Sequence, residues 1–581
     1  MTSPRVRIAA AGAIVLGAAM SIPAASASAD PRHPHGQHGH SARVPIQLLS
    51  FNDYHGHLEA TDPALPTKWD PTASPVGGVE YLSATIKALR AKVGDANSLT
   101  VAAGDLIGGS PFLSGMFHDE PSVESLETLG LDVSSVGNHE FDEGTAELLR
   151  MQYGGCHPVD GCYFPDQPYD GASFNWLAAN VVRKSNGKPL LPPVAVRAVK
   201  GVKIGFIGMT LESTPTLVNP SGVASVDFKD EIETANAQAA ALKKRGVKTI
   251  VVLIHEGGVN PSGINSCTGI SGPILAIAQG ITHEVDAIIT GHTHEPYICQ
   301  IPDARGVPRL VTSAASYGQV VTETTLVVNK ATGEVDRAAS SAENHLVLRS
   351  IAKDPAETAV IAKWNALAAP MAGRVVGSHV EDILGDAGGN RGIETPMADL
   401  VADAWLSGTS GASQGGAQIA FQNVGGTRAS FRVNATPNGE QPGQITYAEA
   451  YAVVPFSNVM VTVDLTGDQI RQGLEQQYIA TRGRPALALG VSAGFSYAWD
   501  ALAPQGSKVV PGSMTLNGVP MSMTATYRVA LPNFLADGGD DFLAFKLGTN
   551  RLGGGEDLAM LVAYLQAHPG LTAPASRIDG L

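Results

Sequence analysis

Short aliphatic and β-branched runs alternate with helix-patterned segments through the first half of the chain, and this alternation limits the possible folds more than any other feature. The strand-like runs are IQLLSF, SLTVAAG, VSSVG, VKIGFIGM, VKTIVVLI, VDAIIT and PRLVTSA, and helical spacing occurs in VEYLSATIKALRAKV and EIETANAQAAALKKRG. This alternation predicts α/β layers with a buried sheet. We expect the first domain to occupy residues 45–340.

The chain of 581 residues exceeds what one hydrophobic core usually supports, so a second domain is expected. Residues 354–370 (DPAETAVIAKWNALAAP) have helical spacing, with Pro355 near the start and Pro370 at the end, and one helix is predicted there. We expect residues 341–372 to form a helical linker and hinge between the domains.

The sequence changes in character after Gly373. Glycine-rich loops, scattered strands such as MVTVDL and TYRVAL, and helical segments such as ADLVADAWL and GDQIRQGLEQQY follow one another without a repeat. This mixture predicts an α+β domain over residues 373–581.

The N-terminal sequence is typical of an exported protein. Two arginines in MTSPRVR precede a short apolar run, AAAGAIVLGAAM, and Ala27-Ser28-Ala29 matches a small-residue cleavage site. We interpret residues 1–29 as a secretory signal peptide, because the apolar run is shorter than the roughly 20 residues that span a bilayer. Residues 30–44 contain four histidines among Pro and Gly and are expected to form a disordered leader. The protein is expected to be secreted without a membrane anchor.

The balance of charges limits the possible partners. Without residues 1–29 the chain has 37 basic and 54 acidic residues, a formal charge of −17. Binding to the phosphate backbone of DNA or RNA requires a basic surface, so no nucleic-acid polymer is expected as a partner. A small phosphorylated molecule remains compatible with this charge if a few local cations hold it. The sequence leaves the oligomeric state open.

The four cysteines are Cys156, Cys162, Cys267 and Cys299. An even number in an exported protein favours disulfides. Three connectivities are possible, and the most local one pairs Cys156 with Cys162 and Cys267 with Cys299. A zinc site made from these thiols is less favoured, because no CxxC spacing occurs.

Residues that can bind a metal follow five predicted strands of the first domain. They are Asp53 and His55 in SFNDYHGHLE, Asp105 in VAAGDLIGG, Asn138 and His139 in GNHEFDEG, His255 in VVLIHEGG, and His292 and His294 in IITGHTHEP. Functional groups of open α/β sheets gather beyond the carboxyl ends of strands. In Asp-x-His and His-x-His, alternate residues of an extended segment point the same way and can reach one ion. Mixed Asp, Asn and His ligands favour Zn, Mn, Fe or Co over an all-oxygen calcium site.

The motifs NDYHGHLE, GDLIGGS, GNHEFDEG, HEGG and GHTHEP resemble, in content and order, those of the 5'-nucleotidase family of calcineurin-like metallophosphoesterases. The resemblance implies a four-layer α/β catalytic domain that holds two divalent metal ions. One ion would bind Asp53, His55, Asp105 and His294, and the other Asp105, Asn138, His255 and His292, with Asp105 as the bridge. Two ions about 3.5 to 4 Å apart can activate water and neutralise charge on a transferring phosphoryl group.

The segment GNHEFDEG has two interpretations. Asp142 could cap the helix that begins in TAELLRM, since Asp is a favoured N-cap residue. By resemblance to the family, Asn138 binds a metal, His139 stabilises or protonates the departing oxygen, and Asp142 orients that imidazole. No role is assigned to Glu140 or Glu143.

The second domain resembles the substrate-binding domain of the same family through NRGIETPMADLVADA, QNVGGTR, VVPFSN and LPNFLADGGDDF. The resemblance implies that Phe456 and Phe534 sandwich a nucleobase, that Asp540 holds ribose hydroxyls, and that Arg391, Asn423 and Arg428 bind phosphates or nearby polar atoms. Stacking on aromatic rings accepts any base, and arginine suits bidentate phosphate contacts.

Three positions depart from the family pattern. The family commonly has Asn and Gly at the positions of Pro396 and Ala398, and Gly at the position of Val424. Val424 lacks the backbone freedom of glycine, so the phosphate loop is expected to differ in geometry. With the metals on one domain and the base clamp on the other, the resemblance also implies a domain rotation about the linker.

The expected function is a secreted two-metal 5'-nucleotidase that yields nucleoside and phosphate. A 2',3'-cyclic nucleotide phosphodiesterase with 3'-nucleotidase activity, or a UDP-sugar hydrolase, would use the same site. An extracellular metal-binding protein is the alternative from another class. Such a protein has no need for His139 and Asp142 beside a complete ligand set, or for a base clamp.

Overall fold

The computed structural model describes residues 43–60, 65–66, 68–218, 222–385, 389–456 and 458–581. The predicted signal peptide lies outside these residues. So does the predicted leader, except for Arg43 and Val44, which begin the first strand. Among the described residues, no helix has the length and apolar character needed to cross a membrane.

Strands and helices alternate along the first domain, as the sequence predicts. The strands are β1 (Arg43–Phe51), β2 (Ser98–Ala103), β3 (Val133–Ser135), β4 (Asn175–Leu177), β5 (Val181–Arg183), β6 (Val194–Val199), β7 (Val202–Thr210), β8 (Val226–Phe228), β9 (Thr249–His255), β10 (Ala287–Thr290), β11 (Tyr297–Pro302), β12 (Pro308–Ser313), β13 (Val320–Asn329) and β14 (Ser341–Leu346). The helices are α1 (Val79–Val93), α2 (Phe112–Gly115), α3 (Glu120–Leu129), α4 (Gly144–Tyr153), α5 (Glu231–Lys244), α6 (Ile274–Gly280) and α7 (Pro355–Ala372).

Two six-stranded sheets form the centre of this domain, in the orders β14-β13-β1-β2-β3-β4 and β11-β12-β10-β9-β7-β6. Each sheet has four neighbouring parallel strands. In the first sheet, antiparallel pairing adds β13 and then β14 on one side, and in the second sheet β11 and β6 pair antiparallel on the two sides. Apolar residues of both sheets, including Leu48 and Phe206, pack in the layer between them. The outer faces pack against helices, with Leu82 of α1 on one side and Leu242 of α5 on the other. The result is the expected four-layer arrangement of helix, sheet, sheet and helix.

This arrangement brings the polar motifs to one edge. The motifs follow the carboxyl ends of β1, β2, β3, β9 and β10, which lie next to one another in the two sheets. The loops after β1 and β2 are joined directly, because Asp53 N donates to Gly104 O at 3.0 Å and His55 N donates to Asp105 O at 3.0 Å.

The cysteines form the most local of the three possible connectivities, Cys156–Cys162 and Cys267–Cys299. The first disulfide closes a short loop after α4, and the second joins the loop after β9 to β11. No described cysteine is free.

The stretch predicted as a linker, residues 341–372, contains a strand and a helix that pack on the first domain. Strand β14 pairs with β13, and Trp364 of α7 is buried against Phe117 in the same core as α1 and α3. Asp354 caps α7 by accepting from Ala356 N at 3.1 Å. The helix also continues past its predicted end, because Pro370 lies inside it. The role of residues 341–372 as a linker and hinge stays a prediction.

The second domain mixes strands and helices without regular alternation. Its strands are β15 (Val375–Ser378), β16 (Ile419–Asn423), β17 (Gln444–Thr446), β18 (Val459–Thr466), β19 (Leu489–Val491), β20 (Phe495–Ala498), β21 (Thr515–Leu516), β22 (Val519–Pro520), β23 (Thr526–Pro532), β24 (Thr549–Glu556) and β25 (Ile578–Asp579). Its helices are α8 (Pro396–Thr409), α9 (Tyr447–Val453), α10 (Gly467–Glu475), α11 (Asn533–Ala536) and α12 (Asp557–Ala567). The main sheet has the order β19-β16-β23-β18-β24, and α8 and α10 pack on it.

Candidate metal centre

The seven predicted ligands converge at the shared edge of the two sheets. His255 Nε2 lies 2.9 Å from Asp105 Oδ2, and His294 Nε2 lies 3.3 Å from Asp53 Oδ1. His55 Nε2 lies 3.7 Å from Asp105 Oδ2. Asp105 therefore lies between the two predicted ligand sets, as a bridging residue would.

Asn138 and His292 complete the second set. The Asn138 Oδ1 atom lies 3.0 Å from His292 Nδ1. Three-residue groups whose ligand atoms all lie within 4.8 Å of one another can be drawn from Asp53, His55 and His294, and from Asp105, His255 and His292.

Two buried nitrogen atoms show that these residues fit a metal. The Nε2 atom of His55 is buried and has no hydrogen-bond partner among the described residues, and the buried Nε2 atom of His255 faces the Asp105 carboxylate at 2.9 Å. A buried polar atom without a partner is costly, so such atoms are uncommon in folded proteins. The other ring nitrogen of each is held by a backbone carbonyl, Nδ1 of His55 donating to Gly108 O and Nδ1 of His255 to Ala103 O, each at 2.7 Å. This arrangement leaves the Nε2 lone pairs for a cation, a common outer-sphere pattern in metal sites.

Asp53 is positioned by its neighbours in the same way. Asn52 Nδ2 donates to Asp53 Oδ2 at 2.6 Å, and the backbone N–H of His292 reaches the two carboxylate oxygens at 3.0 and 3.1 Å. Asn52 itself is fixed by Ala315 O, to which it donates at 2.7 Å. The orientation of the carboxylate therefore depends on the loops after β1, β10 and β12.

Five of the predicted ligands adopt left-handed backbone angles that non-glycine residues seldom use. The φ values are 51° for Asp53, 48° for His55, 51° for Asp105, 71° for His292 and 59° for His294. Strained conformations of this kind cost free energy, and they concentrate at functional sites where the surrounding structure enforces them.

Two motif glycines are required by close approach. A Cβ atom at Gly137 would lie 2.2 Å from Asp105 Oδ1, and one at Gly108 would lie 2.4 Å from His139 O. Gly108 also has a φ of +83°, which favours glycine. These contacts explain the glycines of GNHE and of GDLIGG.

Glu140, for which sequence reasoning found no role, braces the site. Its buried carboxylate accepts from the backbone N–H groups of Asp105 at 3.0 Å, of Leu106 at 2.8 Å and of Gly137 at 2.5 Å. It therefore joins the loops after β2 and β3, which carry the bridging Asp105 and the predicted ligand Asn138. Burial and the nearby Asp105 charge raise the pKa of Glu140 to about 7.

The histidines of the centre have divergent proton affinities. Burial lowers the pKa of His255, but the charges of Asp105 and Asp53 outweigh this effect and raise the pKa to about 10. For His292, burial and the charge of His255 lower the pKa to about 3. In the absence of a cation, the Asp105 and Asp53 carboxylates favour the protonated form of His255, and the charge of His255 in turn favours the neutral form of His292.

His139 pairs with Asp142, and a ligand atom of His139 also lies within 4.8 Å of ligand atoms of His55 and Asp105. Its Nδ1 atom lies 2.7 Å from Asp142 Oδ2, and its backbone N–H donates to Asp105 Oδ1 at 2.8 Å. Burial lowers the pKa of His139, but Asp142 and Asp105 outweigh this and raise it above the ordinary value. The capping interpretation of Asp142 is wrong, because α4 begins at Gly144 with Glu143 in the N-cap position and no side-chain cap.

One aromatic ring of the second domain reaches this pair. Phe456 stacks on the His139 ring, with centroids 6.0 Å apart and planes inclined by 23°. The guanidinium of Arg428 lies 5.4 Å from the centroid of the same Phe456 ring. The two domains therefore meet at the side of the centre that carries His139.

The other predicted substrate residues lie in the second domain around Asp540. Asn423 Nδ2 donates to Asp540 Oδ2 at 3.2 Å, and Phe534 packs so closely on Gly539 that a Cβ there would lie 2.4 Å from its ring. Among the described residues no ring contact joins Phe534 to Phe456. The structure thus groups Asn423, Phe534 and Asp540, and places Phe456 with His139 and Arg428.

Two further arginines, missed by sequence reasoning, lie in the loop between α10 and β19. Arg482 donates to Asp540 O and to Gln476 O, which fixes the loop. Arg484 makes no hydrogen bond or salt bridge with any described residue. Burial lowers the pKa of Arg391 to about 9, and the charges of Arg428 and Arg484 contribute to this shift. The charges of Arg391 and Arg484 both act on Asp540, and Arg428 acts on these two arginines.

The departures from the family pattern fit the local backbone. Pro396 starts α8, where its missing N–H is not needed, and Thr395 caps that helix by accepting from Ala398 N. Val424 has no positive φ, so its position does not require glycine. Its buried side chain packs with Ala398 and Ala488. The expected distortion of the loop at Val424 is therefore not needed to accommodate this side chain.

Comparisons with known proteins match the two domains to two different families. Residues 46–296 match the family described as calcineurin-like phosphoesterase, and residues 375–547 match the family described as the 5'-nucleotidase C-terminal domain. Each match covers one of the two domains, and together they include every predicted site residue.

Similar proteins extend over nearly the whole chain. It is 32% identical over 527 residues to "Endonuclease YhcR" of Bacillus subtilis, which covers 90% of this chain and 40% of that protein. It is 30% identical over 526 residues to "Cell wall protein Lmo0130" of Listeria monocytogenes, which covers 87% and 64% respectively. The chain thus spans less than two thirds of the length of these two relatives. The crystal structure of a 5'-nucleotidase precursor from Thermus thermophilus superposes with a TM-score of 0.71 at 28% identity, covering 92% of this chain and 99% of that one.

Proposed function

This chain belongs to the 5'-nucleotidase family of calcineurin-like metallophosphoesterases, and we propose that it is an exported two-metal hydrolase that removes the 5'-phosphate of nucleotides. The products would be a nucleoside and phosphate. The observation that carries this proposal is the stacking of Phe456 on His139 at 6.0 Å, because a base stacked on this ring would lie beside the candidate proton donor. A metal centre alone would favour phosphoester hydrolysis without selecting nucleotides.

The centre would hold two divalent ions of the Zn, Mn, Co or Fe class. Asp53, His55, Asp105 and His294 would hold one, and Asp105, Asn138, His255 and His292 the other. When bound, such ions supply charge that neutralises the transferring phosphoryl group, and they activate water as the nucleophile. The support for two sites is the pair of buried Nε2 atoms, of His55 and His255, which face the Asp105 carboxylate at 3.7 and 2.9 Å.

His139 would act as the general acid. Asp142 accepts the Nδ1 proton and stabilises the imidazolium form, so the other ring nitrogen retains a proton for the departing oxygen of the nucleoside. The backbone contact from His139 N to Asp105 ties the position of this acid to the bridging carboxylate. Asp142 would therefore act as a positioning residue through His139.

The second domain would bind the nucleotide. Arg391 and Arg428 would hold phosphate oxygens, because they make no salt bridge to a described acidic residue and guanidinium suits bidentate phosphate contacts. Phe456 and Phe534 would stack on the base. Asp540, positioned by Asn423 at 3.2 Å, would accept hydrogen bonds from ribose hydroxyls.

Export would agree with the chemistry of the cysteines. All four are joined in disulfides, which persist in oxidising compartments. The N-terminal sequence of residues 1–29 supports the same location. No nucleic-acid polymer is proposed as substrate, because the chain is strongly acidic.

The activity can be tested with three substrates and one catalytic variant. Purified protein with Mn, Zn or Co would be assayed for products from AMP, UDP-glucose and 2',3'-cyclic AMP, beside His139→Ala and the exposed-histidine control His568→Ala. We expect phosphate from AMP that is lost in His139→Ala and retained in His568→Ala. Preference for UDP-glucose or the cyclic nucleotide would transfer the proposal to the alternative substrate. Bound metal without turnover of any substrate would favour the metal-binding protein.

A further inference from the structure

A second cluster of imidazole and carboxylate groups lies outside the centre described above. It forms where the turn between α2 and α3 meets the loop closed by the Cys156–Cys162 disulfide. His118 Nε2 lies 2.7 Å from Asp160 Oδ2, and His157 Nδ1 lies 3.5 Å from the same oxygen. The rings of His118 and His157 are stacked with centroids 3.6 Å apart.

The donor atoms of the cluster are those of a transition-metal site. Ligand atoms of His118, His157 and Asp160 all lie within 4.8 Å of one another. Two imidazoles and one carboxylate suit zinc and its neighbours better than calcium or magnesium, which prefer oxygen alone. The His118 and His157 side chains are 16% and 12% exposed, so both are largely shielded from bulk water.

Glu143 supplies the outer carboxylate that metal-binding histidines usually have. Its Oε2 atom lies 2.8 Å from His118 Nδ1. This contact holds a proton on Nδ1 and leaves Nε2, on the side of Asp160, as the donor atom for a cation. Glu143, the His118 imidazole and the position for an ion at Nε2 thus follow the sequence of carboxylate, histidine and metal that is found in zinc sites.

The loop that carries the other two donors is held in place. Besides the disulfide, His157 N donates to Gly161 O at 3.1 Å and Gly161 N donates to His157 O at 2.9 Å. His157 and Asp160 are therefore kept on one short hairpin facing His118. Little ordering of the chain remains to be done on binding, which favours affinity.

We propose that His118, His157 and Asp160 form an auxiliary site for one divalent transition-metal ion of the zinc class, with Glu143 orienting His118. The site is separate from the metallophosphoesterase centre and needs none of its ligands. A bound ion would join the disulfide-closed loop to the turn between α2 and α3.

This turn also supports the metallophosphoesterase centre. Asp119, which follows His118, accepts from Gly108 N at 2.9 Å and from Ser114 Oγ at 2.6 Å. Gly108 O in turn accepts from Nδ1 of His55. Two contacts therefore connect the auxiliary site to a ligand of the main centre, so an ion here would stabilise that loop.

The competing arrangement is a protonated His118 that bridges two carboxylates. Burial lowers the pKa of His118, but its hydrogen bonds to Glu143 and Asp160 outweigh this and raise it to about 9. Glu147 of α4 adds to the same effect. An ion must therefore displace this proton, and an ion bound by His157 Nδ1 must also replace the hydrogen bond that this atom accepts from Asp160 N at 3.1 Å. It must also widen the contact between His118 and Asp160 from 2.7 Å to about 3.3 Å, the separation of two ligands in a tetrahedral zinc site.

Metal stoichiometry distinguishes these arrangements. The full chain would be stripped with chelator, equilibrated with zinc by dialysis at pH 8, and its zinc content measured by mass spectrometry. We expect the double variant His157→Ala/Asp160→Asn to hold one zinc fewer per chain than the wild type. The matched control is His345→Ala, which removes a histidine paired with Glu323 at 3.1 Å on another part of the surface. It should retain the full count.

Cobalt provides a second readout that does not depend on activity. In the wild type the additional equivalent of cobalt should give a visible absorption band typical of low coordination number, and the band should be lost in Asp160→Asn. Asp160 is 51% exposed, so this single substitution is not expected to disturb folding. The proposal would be overturned if the wild type and the double variant held equal amounts of zinc and Asp160→Asn left the cobalt spectrum unchanged. That result would establish the protonated bridge.

Discussion

The Nδ1 atom of His139 lies 2.7 Å from Oδ2 of Asp142, three residues further along the chain. The short helical turn His139–Phe141 brings the two side chains together, and α4 then begins without a side-chain cap. The carboxylate that would otherwise stabilise a helix end is thus committed to an imidazole beside the metal centre. The proposed function gives this contact a use, since Asp142 would orient His139 for proton transfer.

Removal of the His139 imidazole should slow the reaction without removing metal. Because general acid catalysis contributes about 10² to 10⁴-fold, we expect His139→Ala to lower kcat for AMP by about that factor. The loss should be much smaller for an aryl phosphate, whose departing oxygen needs no proton. Asp142→Asn should give an intermediate loss. A comparable loss for both substrates would show that His139 serves binding or structure and not protonation.

Substitution of Glu140 should weaken metal binding and destabilise the first domain. Glu140→Gln replaces one acceptor oxygen with an amide group that faces backbone N–H donors, and an unsatisfied buried donor costs about 1 to 3 kcal/mol. We expect lower stability of the first domain in urea and metal affinity reduced about 10 to 100-fold in a chelator competition. Glu334→Gln, at an exposed carboxylate 3.1 Å from Lys248 Nζ, is the control. Unchanged affinity in Glu140→Gln would show that the loops after β2 and β3 keep their positions without the brace.

The sequence predicted the α/β layers and the position of the metal-binding motifs because both follow local rules. Strand-like runs such as VKTIVVLI are buried on both faces, and the motifs come directly after such runs, where parallel strands deliver their carboxyl ends to one edge. The same argument predicted that Asp53, Asp105 and His255 lie close together, and His255 Nε2 lies 3.9 Å from Asp53 Oδ1 and 2.9 Å from Asp105 Oδ2.

What the sequence did not predict depends on contacts between distant segments. Glu140 accepts hydrogen bonds from backbone N–H groups, and such contacts cannot be recognised from the side chains in a sequence. The position of this carboxylate within a glycine-flanked motif was the one signal that could have suggested the contact. Strand β14 and helix α7 were assigned to a linker because their pairing with β13 and packing on α3 are tertiary choices. Arg484 lies in a loop outside the recognised motifs, and only the fold brings it near Asp540.

Arg484 should contribute to binding of the phosphate chain. It makes no hydrogen bond or salt bridge within the described structure, so Arg484→Ala should leave the unfolding transition unchanged. We expect KM to rise several-fold for ADP and less for AMP, since a second phosphate can extend toward the additional charge. Arg432→Ala, an exposed arginine 3.7 Å from Asp382, is the matched control. Equal effects on AMP and ADP would contradict a role in the longer phosphate chain.

Glu357 should make the stability of the first domain depend on pH. Burial raises the pKa of this α7 carboxyl to about 8, and the nearby Asp354 adds to the shift. A raised carboxyl pKa means that the folded state keeps a proton that the unfolded chain releases above about pH 4.3. The stabilisation is therefore complete at low pH and is lost as pH rises toward 8, by up to about 1.4 kcal/mol per pH unit.

The neutral variant Glu357→Gln isolates this contribution. Urea unfolding of the wild type and the variant between pH 5 and 9, in chelator, should give free energies that diverge in favour of the variant as pH rises. The difference should stop growing above about pH 8. Parallel curves across this range would mean that Glu357 is not protonated in the folded protein.

The contact between Gly115 and Tyr451 tests whether the domains must close for turnover. Gly115 lies in α2 of the first domain, and a Cβ atom there would come within 2.0 Å of the Tyr451 hydroxyl on α9 of the second domain. Gly115→Ala should therefore prevent this arrangement of the two domains while keeping the metal centre intact. Because Phe456 and Arg428 reach His139 across this interface, we expect a large loss of kcat/KM for AMP. A small aryl phosphate, which needs no base clamp, should be affected much less.

The double variant Gly115→Ala/Tyr451→Phe removes the closest atom and should recover part of the activity, whereas Tyr451→Phe alone should remain close to the wild type. Full activity of Gly115→Ala on AMP would mean that turnover does not pass through this closed arrangement.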